Sequence, residues 1–222
     1  MNLSKEQCRE IIARRVAKEL HEGDVITLGI GLPTEVANYI PKEMNIILHS
    51  ENGMIGGGKQ DLDAPDNAKI TNAGGIPITT CPGAAFFDTA TSLAIIRGGH
   101  VDVTVMGALQ VDSHGNLANW SIPGVFVPGM GGAMDLTVGA KKVIIAMEHT
   151  SPKGDPRIVK DCTIPLTASH EVDMIVTERC VIEVTKQGLL LKEINPLFSI
   201  DDILDSTGAD LIIAKELWPD YI

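Results

Sequence analysis

An α/β fold, in which a mainly parallel sheet carries helices on its faces, is predicted by two features of this 222-residue sequence. Apolar runs of strand length alternate with segments of helical period, as βαβ units require. The 22 glycines, against 4 Phe, 2 Trp and 2 Tyr, suit a chain with many strand-to-loop junctions. No internal repeat and no Pro/Ser-rich linker divides the chain, so one domain over residues 1–222 is expected.

Ser4 and Gln7 form a capping-box pattern, and Cys8, Ile11, Ile12, Val16 and Leu20 then recur at helical spacing until Gly23. VITLGIG at 25–31 reads as a strand, and PTEVANYI at 33–40 as a short helix with Thr34 as its N-cap. The next strand delivers Glu51 at its carboxyl end. Residues 59–75, mixed and without period, read as a long loop, and IPITTCPG at 76–83 as a strand.

DTATSLAIIRGG reads as a helix begun by Asp88 and ended by Gly98-Gly99. VDVTVMGALQVD at 101–112 alternates as one strand, followed by a turn at His114-Gly115-Asn116. The stretch 120–140 has no clean period, and its glycines imply backbone placed close against another group. KKVIIAMEH is a buried strand. VDMIVTE and CVIEVTK alternate, with a hairpin turn at Lys186-Gln187-Gly188 before LLLKEI, so the region 170–194 adds antiparallel strands. Ser199 with Asp202 caps a last helix, closed by Gly208.

A formal charge of -11 argues against nucleic-acid or anionic-membrane binding, which both need positive counter-charge. On the first helix Arg14, Arg15 and Lys18 are interleaved with Glu10 and Glu19, which reads as a solvated face. Cys8, Cys81, Cys162 and Cys180 show no metal-ligand or disulfide spacing, so no metal is expected and reduced thiols in a cytoplasmic protein fit. The N-terminus is charged, and no apolar run approaches the ~18 residues of a membrane span.

The segment IILHSENGMIGGG at 46–58 poses the functional question. Glu51 is either a solvated acid in an Asn-Gly turn or an acid at the strand end where open α/β sheets bind ligands. Glycines at 53 and 56–58 favour the second, because glycine lets backbone approach a ligand closely. Neither a phosphate-binding GxxxxGK[ST] loop, a complete dinucleotide fingerprint nor a GxSxG elbow is present. A desolvated carboxylate can attack a thioester, with glycine amides holding the oxyanion. His100 and His149 read as structural histidines. Asp135 is either a helix N-cap or a site-shaping acid.

SENG at 50–53, with GIGLP before it and GGHVDVTVMGALQVD, GNLANW and GMGGAMDL after it, closely resembles family I CoA-transferases of the succinyl-CoA:3-oxoacid type. The similarity extends over about residues 5 to 215. The resemblance implies a three-layer α/β/α fold and a ping-pong transfer of CoA between an acyl-CoA and a free acid. Glu51 is then the nucleophile that forms a glutamyl-CoA thioester, and Gly132, with Gly131, offers backbone N–H groups to the oxyanion. Gly29 and Gly31 line the acyl pocket, Asn52 and Gly53 shape the loop, and Gly74 and Gly75 are candidates for contact with CoA. No cofactor is implied, since CoA is a substrate.

The chain resembles only the C-terminal portion of the fused enzymes. It is therefore similar to a B (beta) subunit that needs an A (alpha) subunit, in an α₂β₂ assembly. Short-chain acyl-CoA, 3-oxoacyl-CoA and carboxylic acids are the implied substrates. Two other functions compete with this one: an acyl-CoA hydrolase using the same glutamyl thioester, and a non-catalytic metabolite sensor of the same fold.

Overall fold

At the start of the chain the Ser4 hydroxyl accepts from the Gln7 N–H at 3.2 Å, and the Gln7 side chain takes the Ser4 N–H at 2.8 Å. The expected capping box thus begins helix α1 (Lys5–Ala17). The structure, a computed structural model, describes residues 3–61, 63–65, 68–125, 127, 129–218 and 221. After α1 come β1 (Val25–Leu28), a 3₁₀ helix (Leu32–Asn38), β2 (Ile47–Ser50), β3 (Met54–Gln60), β4 (Ile78–Phe86), α2 (Thr89–Arg97) and β5 (Val101–Met106). The chain continues through β6 (Gln110–Asp112), β7 (Leu117–Ala118), α3 (Ala133–Gly139), β8 (Ala140–Ala146), β9 (Ile158–Val159) and β10 (Met174–Val176). It ends with β11 (Cys180–Thr185), β12 (Gly188–Ile194), α4 (Ile200–Ser206) and β13 (Leu211–Trp218).

Ten of these strands form one sheet in the order β13-β12-β11-β10-β8-β5-β1-β2-β3-β4. Its centre, from β10 to β2, is parallel. The antiparallel strands expected toward the C-terminus are β10, β11 and β12, with Thr185 paired to Gly188 across the hairpin turn. The period of two along β8 divides the core. Val143 and Ile145 pack with Ile96 of α2 and Leu136 of α3, whereas Ile144 and Ala146 pack with Ile12 and Val16 of α1. Helices on both faces of a mainly parallel sheet make the α/β class and the three layers.

Five expectations need correction. The glycine triplet 56–58 lies in a strand, β3, and β2, β3 and β4 form an antiparallel meander in the first half of the chain. A Cβ on Gly56 would meet Ala84 Cα at 2.9 Å, and one on Gly58 would collide with Thr79, so these glycines let β3 and β4 close on each other. The expected loop 59–75 therefore begins only at 61, and its residues 62, 66 and 67 lie outside the described residues, as do 126 and 128 of the 120–140 stretch. Thr34 is not an N-cap. Its hydroxyl donates to the Gly31 carbonyl at 2.7 Å, and Gly31, at φ +93°, precedes the helix.

The single strand expected over 101–112 breaks after Met106, because the chain leaves the main sheet there and Gln110–Asp112 pairs with β7 and β9 instead. The first helix does not present Arg15 to solvent. That residue is 5% exposed, and its guanidinium grips Glu193 of β12 at 2.7 and 2.6 Å, while Glu19 takes both Arg15 and Lys142 of β8. Alternating charge alone does not tell which side of a helix meets the sheet.

Among the described residues no helix is long and apolar enough to cross a membrane. The buried Arg15 network pins α1 across the sheet, and removing one partner strands the other charge in the interior. Arg15→Met is expected to cost ~3–5 kcal/mol of unfolding free energy in urea titrations. Replacing Arg15 and Glu193 together by apolar residues should recover most of that loss; an equal loss in the double variant would contradict the account.

Candidate functional site

The chain runs from β1 to β2 on one side, and β5 later joins β1 on the other side, so a topological switch lies beside β1. Open α/β sheets bind ligands outside the carboxyl ends of strands at such points. A cavity of about 580 Å³ lies there, walled by the residues following β1, β2 and β5 and by the start of α3.

Glu51 enters this cavity from a turn directly after β2. The Gly53 N–H donates to the Ser50 carbonyl at 3.0 Å, and Ser50 pairs with Met54 to close the hairpin. Gly53 has φ +119°, and a Cβ there would collide with the Phe87 carbonyl, so only glycine fits without distortion. Asn52 Nδ2 donates to the Thr71 carbonyl at 2.9 Å, and Ser50 Oγ accepts the Ala73 N–H at 3.1 Å, which brings Ala73 onto the cavity wall.

One oxygen of Glu51, Oε2, is buried and has no hydrogen-bond partner among the described residues. A Cβ on Gly132 would occupy the place of that oxygen. The bare backbone of the residue preceding α3 is therefore what lets the carboxyl group fit. Burial, and then the charge of Asp135, push the Glu51 pKa above its ordinary value of 4.5. Asp135 is held by Arg97 at 2.5 Å and sits in the first turn of α3; the N-cap of that helix is Gly132, which answers the open question about Asp135.

Of the sequence-predicted residues, Glu51, Gly29, Gly131 and Gly132 converge on the cavity wall. Gly29 gives its N–H to the Val105 carbonyl at 2.8 Å, and a Cβ there would meet Met106 Sδ at 3.1 Å. Gly31, Asn52, Gly53, Gly74 and Gly75 are not on the wall. Gly74 N–H donates to Asn72 Oδ1 at 2.9 Å and Gly75 has φ +76°, so this pair shapes the turn carrying Ala73.

Four further wall residues, Met106, Asn119, Trp120 and Met130, escaped sequence reasoning. Asn119 and Trp120 are tied to neighbouring backbone: Asn119 Nδ2 donates to the Gly107 carbonyl at 3.1 Å, and Trp120 Nε1 to that of Leu166 at 3.2 Å. An Asn-Trp pair next to a glycine-rich stretch is the signal that could have found them. His149 is structural, as expected: it is fully buried between Thr177 and Thr207, and burial pulls its pKa down to about 3. Burial raises the Cys8 thiol to about 11 and those of Cys162 and Cys180 to about 12, which leaves them protonated. Among the described residues no group of three or more His, Cys, Asp or Glu could hold a metal ion. Chemically, the arrangement is a poorly solvated carboxylate facing a largely apolar cavity, suited to attack on an electrophilic carbonyl.

Residues 9–206 match the coenzyme A transferase family. The chain is 53% identical to the beta subunit of the acetate CoA-transferase of Haemophilus influenzae, over 94% of this chain and 93% of that one. It is 46% identical to the B subunit of the succinyl-CoA:3-ketoacid coenzyme A transferase of Helicobacter pylori, over 91% and 97%. The fold matches a crystal structure of an acyl-CoA transferase from Escherichia coli O157:H7 with a TM-score of 0.75 at 24% identity. That match covers 98% of this chain and 44% of the other, so this chain spans less than half of that protein. Glutaconate coenzyme A-transferase of Acidaminococcus fermentans gives 0.70 at 20% identity, over 96% and 89%.

The raised Glu51 pKa has a consequence for stability. The folded protein holds this proton more tightly than the unfolded chain, so the proton's stabilisation is complete below pH 4.5 and is lost as pH rises through the folded value. Glu51→Gln is expected to raise the melting temperature at pH 7 and to leave it unchanged below the ordinary carboxylate value; thermal denaturation across pH reads both.

Proposed function

Because this chain belongs to the coenzyme A transferase family, as a chain of its β-subunit type, we propose that it moves CoA between a short-chain acyl-CoA or 3-oxoacyl-CoA and a free carboxylic acid by a ping-pong route through Glu51. The observation that carries this reading is the buried Glu51 oxygen, without a hydrogen-bond partner among the described residues, seated against Gly132 in the strand-end cavity. A carboxylate stripped of water keeps its electron pair available for attack, at the expense of its own solvation.

In the first half-reaction a Glu51 oxygen attacks the acyl-CoA carbonyl, and the C–S bond breaks to release CoA thiolate. The product is a mixed anhydride of the acyl group and Glu51. The thiolate then attacks the glutamyl carbonyl, the acid leaves with one oxygen from Glu51, and a glutamyl-CoA thioester remains. The acceptor carboxylate attacks this thioester, expels thiolate and forms a second anhydride. Thiolate attack on the acceptor's carbonyl finally releases the new acyl-CoA and restores the Glu51 carboxylate. Each attack moves a carboxylate or thiolate, so no external base and no cofactor other than the substrate CoA is invoked.

The tetrahedral intermediates carry an oxyanion. We assign its backbone donors to Gly132 and, less directly, Gly131, and a second donor to a partner α chain, consistent with relatives named as beta or B subunits. An α₂β₂ assembly in the cytoplasm is part of the proposal. The substrate range is taken from the names of relatives, which span acetate and succinyl-CoA:3-ketoacid transfer, the latter pointing toward ketone-body metabolism.

Four measurements on the enzyme reconstituted with its α chain test this. Glu51→Ala should reduce transfer to background, and full activity in that variant would end the proposal. Gly132→Ala keeps its backbone N–H but its methyl group would displace the Glu51 carboxyl group, so kcat should fall about a hundredfold, the cost of a misplaced reacting group. The acid limb of kcat/KM should fall above pH 4.5, because Glu51 must be ionised to attack and its pKa is raised. An acyl-CoA supplied without acceptor should leave CoA bound to the Glu51 peptide; continued release of free CoA would favour hydrolysis instead.

A further inference from the structure

Two residues before Glu51, His49 is 3% exposed and lies between two buried hydroxyls. Its Nδ1 is 3.0 Å from Thr27 Oγ1 on β1, and its Nε2 is 2.9 Å from Ser92 Oγ on α2. Thr27 is 2% exposed and Ser92 fully buried. Ser92 Oγ also lies 3.3 Å from the carbonyl oxygen of Ser50, the peptide oxygen immediately before Glu51. The His49 ring stacks on Phe87 with centroids 6.3 Å apart.

We infer that Thr27, His49 and Ser92 form a one-way hydrogen-bond chain that ends on the Ser50 carbonyl and fixes the peptide from which Glu51 projects. Each hydroxyl has one proton to give, and a neutral imidazole has one N–H. Thr27 Oγ1–H donates to His49 Nδ1, His49 Nε2–H donates to Ser92 Oγ, and Ser92 Oγ–H donates to the Ser50 carbonyl. This direction uses every donor once. The opposite tautomer would spend the Ser92 proton on His49 and withdraw it from the Ser50 carbonyl.

Burial also lowers the His49 pKa, which keeps the ring neutral as the chain requires. The Ser50 carbonyl then accepts from both Gly53 N–H and Ser92 Oγ–H, one from the turn and one from the helix beneath it. His49 and Ser92 act as positioning residues, since neither lines the cavity that Glu51 enters. Their catalytic importance rests on the reading of Glu51 as nucleophile; the direction of the chain does not.

Two experiments on the protein reconstituted with its α partner test the inference. Long-range nitrogen–proton NMR of wild-type protein carrying isotope-labelled histidine should find His49 protonated at Nε2 with Nδ1 as acceptor. A proton on Nδ1 would overturn the chain. Ser92→Ala should lower kcat by about tenfold to a hundredfold, the penalty of a small misplacement of the reacting group, with the acyl-CoA KM little changed. Ser92→Thr, which restores the hydroxyl, should recover most of the loss. An unchanged kcat in Ser92→Ala, or a defect confined to KM, would overturn the positioning role. The tautomer is read in unmodified protein, so its failure is separable from failure of the proposed function, which the Glu51→Ala assay reports.

Discussion

Glu51 Oε2 lies buried without a hydrogen-bond donor among the described residues, in the space that a side chain on residue 132 would need. An ionised oxygen in that position is costly, since burial disfavours its charge and the carboxylate of Asp135 adds to the penalty. Left to itself, such a carboxyl group would swing toward solvent. What holds it is the rigidity of its setting: a hairpin turn closed by Gly53, whose conformation admits no side chain, and a buried polar array under the preceding peptide. The destabilised ground state and the proposed reactivity are two consequences of one constraint.

The sheet determines where that constraint falls. Five parallel strands bring the carboxyl ends of β1, β2 and β5 side by side, and the change of direction beside β1 opens the crevice that becomes the cavity. The two core layers pack tightly on either side of β8, so the strand ends have little freedom. Helix α3 contributes at the point of closest approach through Gly132, just outside its first turn, while Asp135 within that turn pairs with Arg97. Across the sheet, the buried Arg15, Glu193, Glu19 and Lys142 network fixes the opposite helix, far along the strand order from Glu51.

Much of this is legible in the sequence where the causes are local. Ser4 with Gln7, Asp88, and Ser199 with Asp202 are caps in the structure because capping depends on residues three apart. The apolar run before Glu51 correctly places the acid at a strand's carboxyl end. Features set by distant partners are not legible. Gly56 and Gly58 serve the approach of β3 to β4, whereas Gly132 serves Glu51, and nothing in the local pattern separates these two uses of glycine. Likewise Arg15 looks solvated until β12 supplies Glu193, and the strand at 101–112 looks continuous until the second sheet takes its latter part. Asn119 and Trp120 reach the cavity through bonds to Gly107, Thr167 and Leu166, contacts that no spacing rule encodes.

The central claim is that Glu51 is itself acylated and regenerated in each cycle, exchanging a carboxylate oxygen with the acids it serves. This is tested most directly by running the reconstituted enzyme with an acceptor acid carrying isotopically heavy oxygen and weighing the Glu51 peptide afterwards. Heavy oxygen should accumulate in the Glu51 side chain as turnover proceeds. New acyl-CoA formed while that side chain keeps its original oxygens would contradict the account.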